Sequence, residues 1–309
     1  MANIEKVGII GKGMIGISFA ALFTGNGVRT VVLAKDEEIG RHRYKEIYDY
    51  LIEKGLVTEE QYKTCEKLLS FTEEYADLAD MEVIFECVAE DLKIKQDVYS
   101  KIAANCSKIK AIGSTSSAIS PNDLVSAGIL TDKILVTHPY NPPHLVPLVE
   151  VVPADTTSED AVDAVCELLI KAHRYIAKMN RPAPGFISNR IQHAMIREGL
   201  HMVAEGICSI EDVDNAIMYS FAPRYTSIGL FEHVDNAGLD LAKNVEDYLF
   251  ADLGNETSAG KPVVEAVSRG DYGRKTGKGL YDWSQKDIPD FLDRAAKPYL
   301  SFFNWELPE

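Results

Sequence analysis

A glycine-rich turn near the start of the chain constrains the fold more than any other sequence feature. An apolar run at residues 7–10 leads into Gly11, Gly13 and Gly16, spaced as GxGxxG, and an apolar helical run follows at 17–23. A β-branched run at 30–34 then completes the pattern of a βαβ unit. In such a unit the first glycine permits the tight turn, the second lets backbone approach a pyrophosphate, and the third allows close helix packing.

The start of the helix after this turn is therefore expected to bind the phosphates of a dinucleotide. Free N–H groups and the helix dipole favour anions there. We expect cofactor contacts from Gly11, Gly13, Met14, Ile15 and Gly16.

The residues after the second strand bear on which nicotinamide cofactor is bound. An acid at this point usually holds the ribose hydroxyls of NAD. The chain has Ala34, Lys35 and Asp36 here, so its acid comes one or two positions late. Lys35 would suit the 2′-phosphate of NADP, whereas Asp36 reaching back would suit NAD. We expect NAD, and the residues leave NADP open.

Strand-like and helical patterns alternate through the first part of the chain. Near-continuous apolar strands separated by helices are typical of an α/β fold, here a Rossmann-type, doubly wound, mostly parallel sheet. A charged helical hairpin at about 39–69, with a turn at Gly55, interrupts the alternation. Further strands are predicted at 82–87, 111–113, 134–137, 148–152 and 174–177.

A stretch of helix breakers at 180–185 predicts a domain boundary. Helical patterns dominate beyond it. We therefore expect a cofactor-binding domain at 1–182, including the hairpin, and a smaller all-helical domain at 183–309 for substrate binding and dimerisation.

Charge and cysteine content exclude several classes of protein. A formal net charge of −15 argues against nucleic acid or an anionic membrane as partner. The five cysteines are scattered without CxxC spacing, which argues against a disulfide framework or a zinc site, so no metal is expected. We see no membrane-spanning run and no export signal. The cysteines fit a reducing, cytoplasmic compartment, and a small molecule is the expected partner.

Polar residues at the ends of predicted strands suggest a catalytic site. The segment STSS (114–117) and His138 each follow a strand, and Glu150 lies within one. Ligands of open α/β sheets bind at the carboxyl ends of the strands. Histidine titrates near neutrality and suits proton transfer to and from a carbinol, while a carboxylate behind it fixes its tautomer. Each residue alone would be an ordinary surface group, but the combination behind a nucleotide loop favours a catalytic pair.

These motifs together resemble the 3-hydroxyacyl-CoA dehydrogenase family. The resemblance spans nearly the whole chain and keeps the family's order: ECVAE (86–90), STSS (114–117), HPYNP (138–142) through LVE (148–150), PGFISNR (184–190) and GRKTGKGLY (273–281). It implies hydride transfer between a nicotinamide cofactor and a 3-hydroxy or 3-keto group, in a homodimer formed through the helical domain.

The resemblance also implies roles for individual residues. It makes His138 the acid/base, Glu150 its orienting partner, and Ser116 and Asn189 hydrogen-bonding partners of the substrate oxygen or of the histidine. Glu90 and Lys95 match positions that contact the nicotinamide-side ribose and neighbouring cofactor groups. Ser116 and Asn141 are further expected cofactor contacts, the latter in the loop after His138.

Two substrate classes stay open. The hairpin and the C-terminal motif resemble the bacterial 3-hydroxybutyryl-CoA enzymes, for which Arg41, Arg43 and Lys45 could meet CoA phosphates. The strings HPYNPPH and LVEVVP resemble the branch with L-gulonate 3-dehydrogenase (lambda-crystallin) and carnitine dehydrogenase. A free acid would favour one fixed guanidinium, for which Arg224 is the candidate. We rank a short 3-hydroxyacyl-CoA first and a free 3-hydroxy acid second.

A non-catalytic role is the alternative from a different class. One relative in the family serves as a lens crystallin, and a cofactor-binding fold alone proves no chemistry. The intact set of His138, Glu150, Ser116 and Asn189 favours an enzyme.

Overall fold

The computed structural model describes residues 4–308, which divide into two compact units. The first unit runs to Ile187 and resumes at Leu292, and the second is Ser188–Phe291. The strands are β1 (Lys6–Ile10), β2 (Arg29–Leu33), β3 (Leu69–Thr72), β4 (Val83–Glu86), β5 (Ala111–Ser114), β6 (Ile134–Pro139), β7 (Leu148–Pro153) and β8 (Tyr175–Lys178). The helices are α1 (Met14–Gly25), α2 (Glu37–Glu53), α3 (Glu59–Glu66), α4 (Leu92–Asn105), α5 (Pro121–Leu124), α6 (Glu159–Lys171), α7 (Ser188–Ala204), α8 (Ile210–Ala216), α9 (Leu230–Ala237), α10 (Leu239–Leu249), α11 (Lys261–Ser268) and α12 (Ile288–Leu300).

All eight strands form one sheet in the order β3-β2-β1-β4-β5-β6-β7-β8. Every neighbouring pair is parallel except β6 and β7, which are antiparallel. The chain order reverses between β1 and β4, which is where ligands bind in open α/β sheets. The predicted α/β class and its mostly parallel, doubly wound sheet are confirmed.

Helix α1 lies in the core of the first unit. All its residues from Gly16 to Gly25 are buried, because its sequence is apolar on every side. Phe19 and Phe23 pack against Phe85 of β4, with ring centroids 4.9 and 5.1 Å away. This packing fixes the start of α1 at the carboxyl end of β1.

The predicted hairpin is formed by α2 and α3, with Gly55 in the turn at a φ of 70°. Strand β3, which follows the hairpin, is not among the strands predicted from the sequence. Its four residues pair only with β2 at the sheet edge, and only Leu69 among them is buried. So short and exposed a strand carries no hydrophobic pattern that distinguishes it from the end of a helix.

The last residues differ from the predicted division of the chain. Residues from Leu292 onward cluster with the first unit, and the boundary between the units falls after Ile187 rather than after residue 182. The reason is apolar packing: Trp305 covers Gly25 of α1 so closely that a Cβ there would lie 2.2 Å from its ring. The Trp305 ring also meets Tyr48 of α2 edge-on at 6.2 Å.

The second unit contains helices and two isolated β-bridges near its end, at residues 273–282. Among the helices of residues 4–308, none is both long and apolar enough to cross a membrane.

Candidate active site

The glycine turn between β1 and α1 has the shape that a pyrophosphate requires. A Cβ on Gly11 would lie 2.5 Å from the Cys87 carbonyl oxygen, and one on Gly16 would lie 2.2 Å from that of Gly11. Gly13, by contrast, faces open space within 4 Å. The first N–H groups of α1 have no acceptors within the helix, so they are available to an anion beside Gly13. The predicted contacts Met14 and Ile15 lie in this first turn.

Lys12, which the sequence analysis did not select, connects this turn to the end of β2. Its Nζ donates to the Lys35 carbonyl and lies 2.6 Å from Asp36 Oδ2. The hydrogen bond and charge of Lys12 lower the pKa of Asp36 below its usual value. Asp36 is exposed at a φ of 55° and Lys35 is exposed beside it. Nothing in the spacing of Lys12 signals this bridge, because a loop lysine between glycines is usually solvated.

His138 and Glu150 form the pair that the sequence analysis predicted to be catalytic. They face each other in the antiparallel register of β6 and β7, with His138 Nδ1 2.8 Å from Glu150 Oε2. Glu150 is fully buried and its Oε1 accepts the Ile187 N–H at 2.9 Å. His138 is 8% exposed, and its ring lies 5.3 Å from that of Phe186. Because the glutamate takes Nδ1, Nε2 is the nitrogen that can exchange a proton with a substrate.

Glu90 and Ser116 are brought together at the ends of β4 and β5. Glu90 Oε1 accepts the Ser116 hydroxyl at 2.6 Å and the N–H groups of Ser117 and Ala118 at 3.0 and 2.9 Å. Burial alone would raise the pKa of Glu90, but these hydrogen bonds and the charge of Lys95 lower it. Glu90 is thus a carboxylate that also shapes the turn containing Ser116.

Lys95 lies below the surface rather than at it. Its side chain is 1% exposed, and its Nζ is 2.9 Å from Glu86 Oε1 and 3.5 Å from Glu90 Oε2. A buried carboxylate such as Glu86 requires a cation and hydrogen bonds. Lys95 therefore contacts both glutamates, and its predicted contact with cofactor groups stays a prediction.

The two predicted asparagines lie in different units. Asn141 is exposed in the loop after β6, next to a cis peptide bond with Pro142. Asn189 is the second residue of α7 in the second unit. The first unit thus brings together His138 with Glu150 and Glu90 with Ser116, and the role of Asn189 stays a prediction.

The basic residues predicted to meet a substrate are engaged within the protein. Arg41 Nε is 2.5 Å from Glu37, and Lys45 Nζ is 2.6 Å from Asp49, both on α2. Helix α2 has five acidic residues against its three basic ones, so its net charge is negative. Arg224, in the second unit, lies exposed with its Nη1 2.8 Å from His233 Nε2.

Arg43 differs from these, because it lines a cavity. Its Nη1 donates to the Lys12 carbonyl at 2.7 Å. The cavity, of about 300 Å³, lies between α1, α2 and the loop after β6. Its lining is Met14, Ile17, Ser18, Arg43, Glu46, Ile47, Tyr50, Pro142 and His144. The Tyr50 hydroxyl is a buried oxygen with no hydrogen-bond partner.

His144 also lines this cavity, although the sequence analysis gave it no role. Its Nδ1 is 3.0 Å from Ser18 Oγ, and the residue is 8% exposed. Burial, with a smaller contribution from the charge of Arg174, lowers its pKa to about 4. The imidazole is therefore neutral near pH 7.

Comparison with known proteins gives a consistent result. Residues 6–181 match the family model described as 3-hydroxyacyl-CoA dehydrogenase, NAD binding domain, and residues 185–283 match its C-terminal domain. An L-carnitine dehydrogenase of Streptomyces coelicolor is 32% identical over 74% of this chain and 71% of its own. A 3-hydroxybutyryl-CoA dehydrogenase of Clostridioides difficile is 28% identical over 91% of this chain and all of its own.

A solved structure agrees with these matches over nearly the full length. The structure of an NAD+-dependent 5-dehydrogenase of 5-formyl-3-hydroxy-2-methylpyridine 4-carboxylic acid superposes with a TM-score of 0.84. It is 26% identical and covers 96% of this chain and 97% of its own.

Proposed function

Because the chain belongs to the 3-hydroxyacyl-CoA dehydrogenase family, we propose that it interconverts a 3-hydroxy substrate and its 3-keto form, with His138 as the acid/base. The enzyme is an NAD-dependent oxidoreductase of this family's type. The observation that carries the proposal is the contact of 2.8 Å between the fully buried Glu150 and His138, whose side chain is 10% exposed.

In the oxidative direction, His138 Nε2 takes the proton of the substrate hydroxyl while the carbinol carbon loses hydride. NAD supplies the hydride acceptor when it is bound at the glycine turn. The O–H electron pair becomes the second bond of the ketone, so charge and atoms balance. Glu150 stabilises the imidazolium that forms and keeps Nε2 directed outward. In the reductive direction His138 returns the proton to the developing alkoxide.

Ser116 and Asn189 are proposed to hydrogen-bond the reacting oxygen or His138. The hold of Glu90 on Ser116 supports this, since it fixes the serine near the ends of β5 and β6. Glu90 also offers its second oxygen to the ribose on the nicotinamide side. Asn141 is proposed to contact the cofactor from the loop after β6.

For the substrate, we place a free 3-hydroxy acid before a CoA thioester. CoA carries several phosphate charges, whereas Arg41 and Lys45 of α2 are already paired with acids and the helix is net negative. The cavity beside the glycine turn is of the size that small ligands occupy. Arg224 is proposed to bind the free carboxylate.

A short 3-hydroxyacyl-CoA is the second candidate. The nearly full-length similarity to a 3-hydroxybutyryl-CoA dehydrogenase favours it. Arg43, which lines the cavity and donates to the Lys12 carbonyl, is the residue that would meet a phosphate or amide of CoA.

A substrate panel separates the two candidates. The panel is gulonate, carnitine and acetoacetyl-CoA, each with NAD(H) and NADP(H), followed at 340 nm. We expect turnover with a free acid and NAD, and weaker turnover with acetoacetyl-CoA. Preference for acetoacetyl-CoA would reverse the order, and Arg224→Met should raise KM for the free acid alone. Absence of turnover with every pair would favour a binding or structural protein.

The second unit supports a homodimer as the assembled form. It exposes large apolar side chains, among them Phe231 at 81%, Tyr248 at 69% and Leu239 at 63%. Exposed apolar surface of this kind marks protein–protein contacts. Light scattering should give twice the chain mass, and a monomer at micromolar concentration would contradict this part.

A further inference from the structure

The segment between β6 and β7, residues 140–147, is called here the post-histidine loop, since β6 ends one residue after His138. It contains the second histidine of the HPYNPPH string, His144, which the proposed reaction does not use. His144 is buried, and its Nδ1 contacts the hydroxyl of Ser18 at 3.0 Å. Ser18 is fully buried in α1, one helical turn after Met14.

The loop is also held from its other side. The Arg174 guanidinium, 5% exposed, donates from Nη1 to the carbonyls of Pro143 and Val146 at 3.3 and 3.4 Å. Its Nε donates to the Ala172 carbonyl at 3.2 Å. The backbone on both sides of His144 is therefore anchored, and the imidazole is directed to α1 by a fixed frame.

The hydrogen bond between Ser18 and His144 joins the part of the fold proposed for hydride transfer to the part proposed for proton transfer. Helix α1 starts at the turn that suits the cofactor's phosphates, and the post-histidine loop continues the strand that contains the acid/base. Hydride and proton transfer require the cofactor and the acid/base to be held in a fixed relative position. A displacement of about 1 Å can lower the rate about a hundredfold. A buried, neutral hydrogen bond suits this purpose, because its geometry does not change with protonation near neutral pH.

We propose that His144 is a positioning residue, whose hydrogen bond to Ser18 couples the cofactor-binding helix to the loop that follows the catalytic histidine. The proposal rests on the proposed function for its kinetic consequence. Its structural consequence is independent of turnover: cofactor bound at α1 should order the post-histidine loop through this bond.

Three variants test the connection. Ser18→Ala removes the hydroxyl with little change of volume, and His144→Leu removes the ring nitrogens. His144→Asn places an amide group where Nδ1 lies and should preserve the bond. Thr24→Val is the matched control, since it removes another buried hydroxyl from α1, one that contacts Tyr44 rather than the loop.

Hydrogen exchange with and without NADH gives the direct readout. In the wild type, His144→Asn and Thr24→Val, we expect NADH to slow exchange at residues 11–17 and at 140–147. In Ser18→Ala and His144→Leu, we expect protection at residues 11–17 only. With an active substrate, these two variants should lose about ten- to a hundredfold in kcat with a nearly unchanged dissociation constant for NADH, and His144→Asn should recover most of the loss.

Full loop protection and full kcat in Ser18→Ala would overturn the proposal, whether or not His144→Leu folds. Failure of His144→Asn to restore loop protection would also overturn it, since packing alone would then explain the leucine variant. If no substrate is turned over by the wild type, the proposed function fails, while the exchange experiment still decides the coupling.

Discussion

Two fully buried glutamates lie in the same sheet, at β4 and β7 with two strands between them, and their partners differ in exposure. Glu150 on β7 binds His138, whose side chain is 10% exposed. Glu86 at the end of β4 binds Lys95, and Lys95 is buried as completely as the glutamate. The Glu86 carboxylate also accepts hydrogen bonds from Tyr99, Ser114 and the Val88 N–H.

The two pairs differ in how far the partner of the carboxylate is exposed to solvent. The Glu86 carboxylate accepts hydrogen bonds from several donors, and the side chain of its cation, Lys95, is 1% exposed. The Glu150 carboxylate instead binds Nδ1 of His138, the proposed base, whose side chain is 10% exposed. Burial of a charged pair is thus not evidence of catalysis, whereas accessibility of one partner is the informative property.

The largest expected effect is the loss of kcat on substitution of His138. His138→Gln should lower kcat by about a thousandfold, about 4 kcal/mol of barrier, because proton transfer loses its base. The dissociation constant for NADH, measured by fluorescence, should change little. His42→Gln on the exposed face of α2 is the control. A kcat within tenfold of the wild type in His138→Gln would place the base elsewhere.

For the pair of Lys95 and Glu86 we expect the reverse: a substitution should lower the free energy of unfolding strongly and kcat only weakly. Lys95→Met leaves Glu86 without its cation in the interior, which should cost about 3–4 kcal/mol in the free energy of unfolding by urea. Because the Lys95 side chain is 1% exposed and contacts Glu86 and Glu90, we expect kcat at saturating NAD to fall less than about tenfold. A thousandfold loss of kcat in a stable variant would remove the distinction between the two pairs.

His144 provides a third buried pair, one without a charged member. Its pKa is lowered from 6.5 to about 4 in the folded chain, so the unfolded chain binds the proton more readily between these values. The contribution of the His144 imidazole to the free energy of unfolding is therefore complete above pH 6.5. It is lost as the pH falls toward 4, by about 3 kcal/mol in total. Urea unfolding at pH 7 and pH 4 should show that loss reduced in His144→Asn. An equal loss in both proteins would contradict the assignment.

The smallest expected effect is at Tyr99, one of the hydrogen-bond donors to Glu86. Tyr99→Phe removes one of several donors to Glu86 and should cost about 1 kcal/mol of unfolding free energy, with kcat unchanged. Tyr75→Phe, a half-buried tyrosine outside this network, is the control and should cost less. A clear fall in kcat in Tyr99→Phe, with the folded protein intact, would show that the donors to Glu86 contribute to the reaction.

The sequence predicted features whose physical requirements leave a local pattern. The glycine turn did so because only glycine fits beside the Cys87 and Gly11 carbonyls. His138 and Glu150 were found because each is a polar residue at or within an apolar strand, and strand pairing then accounts for their contact.

Other features depend on contacts between distant parts of the chain, and no local pattern announces them. Lys12 reaches Asp36, and Trp305 covers Gly25, only because the fold brings them together. Lys95 is expected to contact cofactor groups only because of the family resemblance. Its ion pair with the buried Glu86 is visible only in three dimensions.

A double-mutant cycle on the accessible pair tests the central claim most directly. The measurement is the single-turnover rate of NADH formation for wild type, His138→Gln, Glu150→Gln and the double variant, with the best substrate of the panel. Because Glu150 acts through His138, we predict that the double variant is no slower than His138→Gln alone. Independent, multiplicative losses in the double variant would contradict the account, since the two residues would then act separately.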